Sequence, residues 1–176
     1  QEYVNVGYQK ILTFQTKEGG FGWWAGQDQP VLWVTGYGTQ QLVDASRVTD
    51  VDRKVIDRAV AYMLSKQFPD GSWQGAGGTH GEAIDGFKNT HVPLTAYMAW
   101  TLADCGQKGP QGEKAAKYIR DHIDEVKDNV YGLALAAMAA AAVDPKSKDA
   151  EILLAKLDDR KVEEKDFASW RVDGQT

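Results

Sequence analysis

Cysteine is nearly missing from this chain: Cys105 is the only one in 176 residues. An internal disulfide is therefore excluded, and the redox compartment stays open. A basic excess is missing too. The net charge is −5, which argues against nucleic acid as the main partner, because phosphate contacts need a basic face. There is no apolar run of membrane-spanning length and no signal-peptide pattern. No initiator Met precedes Gln1, so the chain reads as a processed piece or an expressed fragment. No segment shows the period-two alternation of a strand, so no sheet is expected. What remains is globular, at 43% hydrophobic and 26% charged residues. That length and composition suit one domain over residues 1–176, or part of a larger one.

Helical spacing runs through the whole chain. Tyr3–Gln15 places Tyr8, Ile11 and Leu12 on one side. Val31–Ser46 is more apolar and starts after Pro30. Thr49 is the expected N-cap of a third helix, with Asp52 three residues on. That helix spaces Val55, Ile56, Ala59, Val60, Met63 and Leu64 for burial. A fourth carries Pro93 in its first turn and ends at Gly106, a C-cap. Gly112–Lys127, Tyr131–Val143 and Lys148–Leu157 complete the set, with Pro145 stopping the sixth.

Odd-numbered helices are amphipathic, whereas the second, fourth and sixth are apolar nearly all round and so buried on several sides. This alternation predicts hairpins with one outer and one inner helix. A degenerate internal repeat agrees. Gln15, Gly19 and Phe21 have the same spacing as Gln67, Gly71 and Trp73. Each trio is followed by an inner helix, Trp33-Val34-Thr35-Gly36-Tyr37 and Pro93-Leu94-Thr95-Ala96-Tyr97. Such repeats stack side by side.

The densest candidate site is Gln67–Gly86, a Gly-rich aromatic turn followed by His80 and Glu82. Imidazole titrates near neutral pH, so this pair suits acid/base or nucleophilic work. The residues alone also allow two solvated loop side chains. Phe21, Trp23, Trp24, Trp33 and Trp73 either line an aromatic pocket or plug gaps between hairpins, and the plug is the more common use. A metal site is not expected, because Cys105 has no ligand spacing to His80, His91 or His122. His122, at helical spacing beside Ile119 and Ile123, reads as half-buried packing. Cys105 reads as a small buried residue at the end of an inner helix. Asp158–Lys165 reads as solvated charge.

The Gln-x-x-x-Gly-x-Trp spacing at Gln67–Trp73 resembles the repeat of terpenoid cyclases and their α/α-toroid relatives. Other segments narrow the likeness. Gly7-Tyr8-Gln9-Lys10-Ile11-Leu12 resembles the Gly-Tyr-Gln-x-x-Leu helix of the thioester domain in α2-macroglobulins and complement components. Trp33–Tyr37 resembles that family's Trp-Leu-Thr-Ala-Tyr/Phe helix, and Lys66–Gln74 its Lys-Gln-x-x-Asp-Gly-x-Phe-x turn. Val130-Tyr131 and the Ala-rich helix after it resemble the family's Val-Tyr/Ser-Tyr helix. These matches fall in the family's order over about four-fifths of the chain.

The resemblance implies an all-α fold, an incomplete α/α toroid of inner and outer helical hairpins. It also implies chemistry at an internal thioester between the Cys sulfur and the Gln carbonyl of a Cys-Gly-Glu-Gln motif. In complement-type members a His after the Asp-Gly-x-Phe turn attacks first and forms an acyl-imidazole. The freed thiolate then helps transfer the acyl group to a hydroxyl. Thr79–Gly86 lines up with that loop, Ile-His-Gln-Glu-Met-Ile-Gly-Gly, so His80 falls on the reactive His and Glu82 on the Glu after it. The Cys-Gly-Glu-Gln motif belongs upstream of Gly7 and is not in these residues. Either it lies in a longer chain or the protein belongs to a branch without one. Cys105-Gly106-Gln107 is only an echo, since the ring needs Gln three residues after Cys and Lys108 stands there.

The resemblance thus implies a domain that is not a turnover enzyme and uses no cofactor. Its partners would be proteases or cell surfaces, and neighbouring domains of a larger chain. Its setting would be extracellular, periplasmic or at the cell surface. Apolar side chains at a cut edge of the toroid would favour self-association. The competing readings are a terpenoid cyclase or prenyltransferase-like enzyme and a non-catalytic protein-binding scaffold. Asp50-Val51-Asp52-Arg53 does not complete the Asp-rich acid motif that a cyclase needs.

Overall fold

The computed structural model describes residues 2–74 and 91–170. Among them are helices α1 (Glu2–Leu12), α2 (Leu32–Ala45), α3 (Arg53–Ser65), α4 (His91–Asp104), α5 (Pro110–Asp121), α6 (Val130–Val143) and α7 (Lys148–Asp158). A single 3-10 turn spans Ile123–Glu125, and a hairpin of β1 (Lys161–Glu164) and β2 (Phe167–Trp170) follows α7. The expectation of an all-α chain holds in class. The hairpin corrects the expectation of no sheet.

Two compact units emerge. One holds residues 1–67 and 104–107, the other residues 68–103 and 108–176. In the first, the apolar helix α2 packs on amphipathic α1 and α3. In the second, apolar α6 packs on amphipathic α5 and α7. The outer helices bury one face each. On α3 it is Ile56, Ala59, Val60, Tyr62 and Met63, while Lys54, Asp57 and Arg58 face water. On α1 the half-buried positions are Tyr8, Ile11 and Leu12, as their spacing predicts.

Helix α4 is enclosed over most of its surface: Leu94, Met98 and Leu102 are at most 1% exposed and Val92, Ala96 and Thr101 are buried as well, while Tyr97 and Trp100 are half-buried. Each such Leu or Met contributes about 1.5–3 kcal/mol relative to an exposed one. Helix α2 is less enclosed than its apolar sequence suggests. It buries Thr35, Gly36, Gly38, Thr39 and Leu42 but leaves Tyr37 in solvent.

Three helix ends differ from expectation. The α3 N-cap is Asp52, not Thr49, because the Asp52 carboxylate accepts the Lys54 N–H. Helix α5 begins at Pro110, whose fixed φ and missing N–H suit the first helical position. It ends at Asp121 rather than Lys127. His122 leaves helical dihedrals, its ring stacks on Tyr118 at 4.1 Å, and its Nδ1 lies 2.9 Å from the Tyr118 carbonyl. The same carbonyl accepts the His122 backbone N–H at 3.1 Å, so ring and backbone of His122 converge on one acceptor at the helix end.

The hairpin occupies the segment that reads as charge. Glu164 pairs with Phe167 across the turn at Lys165-Asp166, and Lys165 takes φ +52. Trp170 ties it to α7 by donating its indole N–H to the Leu157 carbonyl at 2.8 Å.

Candidate functional site

The two Gln-x-x-x-Gly-x-aromatic segments make matching turns, the first within the first unit and the second, from Phe68 on, in the second. In the first, Thr16 N–H bonds the Gly20 carbonyl at 2.8 Å, and Gln15 donates its amide to the carbonyls of Gly19 and Val55. Gly19 has φ +98, and a Cβ there would lie 2.7 Å from the Arg58 carbonyl oxygen of α3. Glycine is required twice over, for the left-handed backbone and for the close approach. Phe21, 1% exposed, then donates its backbone N–H to the Thr35 hydroxyl of α2 at 2.9 Å.

In the second unit, Phe68 N–H bonds the Ser72 carbonyl at 2.9 Å. Gly71 has φ +94, and a Cβ would lie 2.4 Å from the Lys114 carbonyl oxygen of α5. Trp73, fully buried, donates its N–H to the Thr95 hydroxyl of α4 at 3.0 Å. Asp70 stiffens the turn: its carboxylate accepts the Ser72 N–H and hydroxyl at 2.9 and 2.8 Å. Those two bonds hold its carboxyl below the usual range, with a smaller contribution from His122.

Sequence reasoning found both repeats but missed what Thr35 and Thr95 do. The signal was present, since both occupy the third position of matched five-residue segments at the start of an inner helix. Each threonine accepts a buried N–H that would otherwise be stranded.

His80 and Glu82, the candidate reactive pair, lie outside the described residues. The described chain on either side of residues 75–90 is joined by the Trp73–Thr95 bond. The aromatic expectation is corrected in part. Phe21 and Trp73 are buried plugs, but Trp23 and Trp24 are 43% and 68% exposed. Their loop is pinned from within, as the Gln27 side-chain oxygen accepts both of their backbone N–H groups.

Cys105 is buried after the end of α4, and burial pushes its thiol up to about 11. The Arg53 guanidinium opposes that shift, and Asp104 and Asp57 add to it. Such a thiol is mostly protonated at neutral pH and is a poor nucleophile. Gly106, two residues past the helix, takes φ +86 as a C-terminal cap does. Among the described residues no group of His, Cys, Asp or Glu is arranged to hold a metal ion, and no helix is long and apolar enough to cross a membrane.

A family profile for the A-macroglobulin TED domain matches residues 1–176. The chain belongs to that family. It is 25% identical over 140 residues to thioester-containing protein 1 (allele R1) of Anopheles gambiae, covering 77% of this chain and 10% of that protein. It is 24% identical over 152 residues to complement C3 of Oncorhynchus mykiss, covering 80% of this chain and 9% of that protein. The native conformation of Escherichia coli α2-macroglobulin matches with a TM-score of 0.66 at 19% identity, over 93% of this chain and 10% of that one. That structural likeness shows the fold, the all-α toroid-like class of TED domains. The chain spans about a tenth of the length of the relatives it matches. The cyclase and prenyltransferase alternative is not favoured.

Proposed function

We propose that this TED domain serves covalent capture of targets, proteases or cell surfaces, as one domain over residues 1–176 within a larger chain. The observation that carries the reading is the family match over the whole chain together with the alignment of His80-Gly81-Glu82 to the complement-type loop. In this reading an imidazole nitrogen of His80 attacks the thioester carbonyl. The C–S bond breaks, leaving an acyl-imidazole and a thiolate. A target hydroxyl then attacks the acyl carbon, its proton passes to the thiolate, and the imidazole leaves. Glu82 orients the imidazole.

The domain is used once per molecule and does not turn over. Its setting is extracellular, periplasmic or at the cell surface, as the family resemblance implies. Exposed Tyr131 and Met138 on α6 and Leu154 on α7 support contact with neighbouring domains or a second copy.

The test is intact-mass measurement of the full gene product with and without methylamine. Uptake of one methylamine together with one newly titratable thiol is expected. Absence of both would place the protein in a branch without the thioester and remove this function.

A further inference from the structure

A cavity of about 200 Å³ opens in the second unit among α4, α5, α6 and α7. Small side chains create it. Ala99, Ala116, Ala139 and Ala140 present only methyls where the helix faces converge, so facing atoms cannot meet and space is left. Ile119 and Leu153 add larger apolar walls. An engineered apolar cavity of about 150 Å³ stays dry and accepts benzene, so about 200 Å³ leaves room for a ring or a chain of about six to eight carbons.

Charged groups line it unevenly. Arg120 on α5 pairs with Asp149 on α7, and these two neutralise each other. Asp144 is engaged by the Lys146 N–H at 3.0 Å. Lys156 is the charged lining residue with no ion pair or hydrogen bond among the described residues. Asp149, Leu153 and Lys156 fall on one face of α7 by their spacing. A lysine in that position lays its methylene stem on an apolar wall and keeps its ammonium in water.

We propose that this cavity binds a small amphiphile, a monocarboxylate with an apolar tail of about six to eight carbons, the carboxylate meeting Lys156 and the tail filling the alanine-lined space. The proposal is independent of the thioester chemistry and of His80.

The test uses the 176-residue chain with octanoate and the neutral 1-octanol as probes, titrated by amide NMR. Wild type should bind octanoate one to one, with shifts clustered on α5, α6 and α7. Ala116 is half-buried, so Ala116→Leu fills the cavity from its edge and should weaken both probes about tenfold. Exposed Lys156→Gln should weaken octanoate about threefold, the range of an exposed ion pair, and leave 1-octanol unchanged. If Ala116→Leu fails to fold, Ala116→Val reads the same loss at smaller size. No octanoate binding at millimolar concentration would overturn the proposal. So would affinity unchanged by the filling variants, or equal losses for both probes in Lys156→Gln.

Discussion

The Thr95 hydroxyl accepts the Trp73 backbone N–H at 3.0 Å, and Thr35 does the same for Phe21 at 2.9 Å in the other unit. Both threonines and both aromatic residues are at most 1% exposed. The two bonds join the turn after an outer helix to the inner helix that follows it. The second also ties together the described chain flanking His80 and Glu82.

Thr95→Val keeps the shape and strands the Trp73 N–H. It should cost about 1–3 kcal/mol of stability, and Thr95→Ser should cost clearly less. Thr35→Val should behave alike toward Phe21. Urea denaturation of the three variants checks this; equal stability of the valine and serine forms would refute it.

Gly71→Ala meets two obstacles, φ +94 and a Cβ 2.4 Å from the Lys114 carbonyl oxygen. Gly26 shares only the first, with φ +78 and open space around a Cβ. Gly26→Ala should therefore cost about 1–2 kcal/mol, and Gly71→Ala should exceed it by about 1–3 kcal/mol for the overlap. Thermal melts of the pair decide, since matching losses would mean that the approach to α5 is not constraining.

Asp70 is held below its ordinary carboxyl range by its bonds to Ser72. A group depressed in the folded state stabilises above its unfolded value, about pH 4, and that stability is lost as pH falls through the folded value. Asp70→Asn should lower stability at pH 7 and flatten the acid limb below about pH 4. Urea midpoints from pH 2 to pH 7 in both forms read this out; parallel acid limbs would contradict it.

Cys105, pushed up to about 11 by burial, should react with a disulfide reagent at pH 8 on the order of 100-fold more slowly in the folded chain than in urea. The 176-residue chain should also take up no methylamine, because Lys108 stands where a thioester would need Gln. Intact mass after methylamine treatment would expose an error as an adduct.

Much of the helical frame was legible because burial has a period. The sides of α1 and α3 and the enclosure of α4 follow directly from apolar spacing. Helix ends were less legible. Asp52 rather than Thr49 caps α3, and the His122 stack on Tyr118 stops α5, because single side-chain hydrogen bonds decide these points. The β1–β2 hairpin was hidden in Lys161–Glu164, three of whose four residues are charged. There the Lys165-Asp166 turn and the Trp170 bond to α7 carry the structure, and no alternating apolar pattern announces it. Of the candidate site, the glycine and aromatic framework was visible in the repeat spacing. The threonine acceptors were marked only by their matched third positions in Trp33–Tyr37 and Pro93–Tyr97, since a buried hydroxyl in an apolar helix adds no periodic signal. The Trp23-Trp24 pair misled because side-chain size predicts burial only where packing partners exist.

The proposed role of His80 is to receive the acyl group before a target does. In the full gene product, His80→Ala should be compared with wild type in a mixture of radiolabelled glycerol and methylamine, counting covalent label. A neutral imidazole speeds transfer to hydroxyls, whereas amines attack a thioester unaided. The account predicts that wild type labels with glycerol and that His80→Ala shifts at least tenfold toward methylamine, on the scale of one lost nucleophilic catalyst, about 10² or more. An unchanged glycerol-to-methylamine ratio in His80→Ala would contradict it.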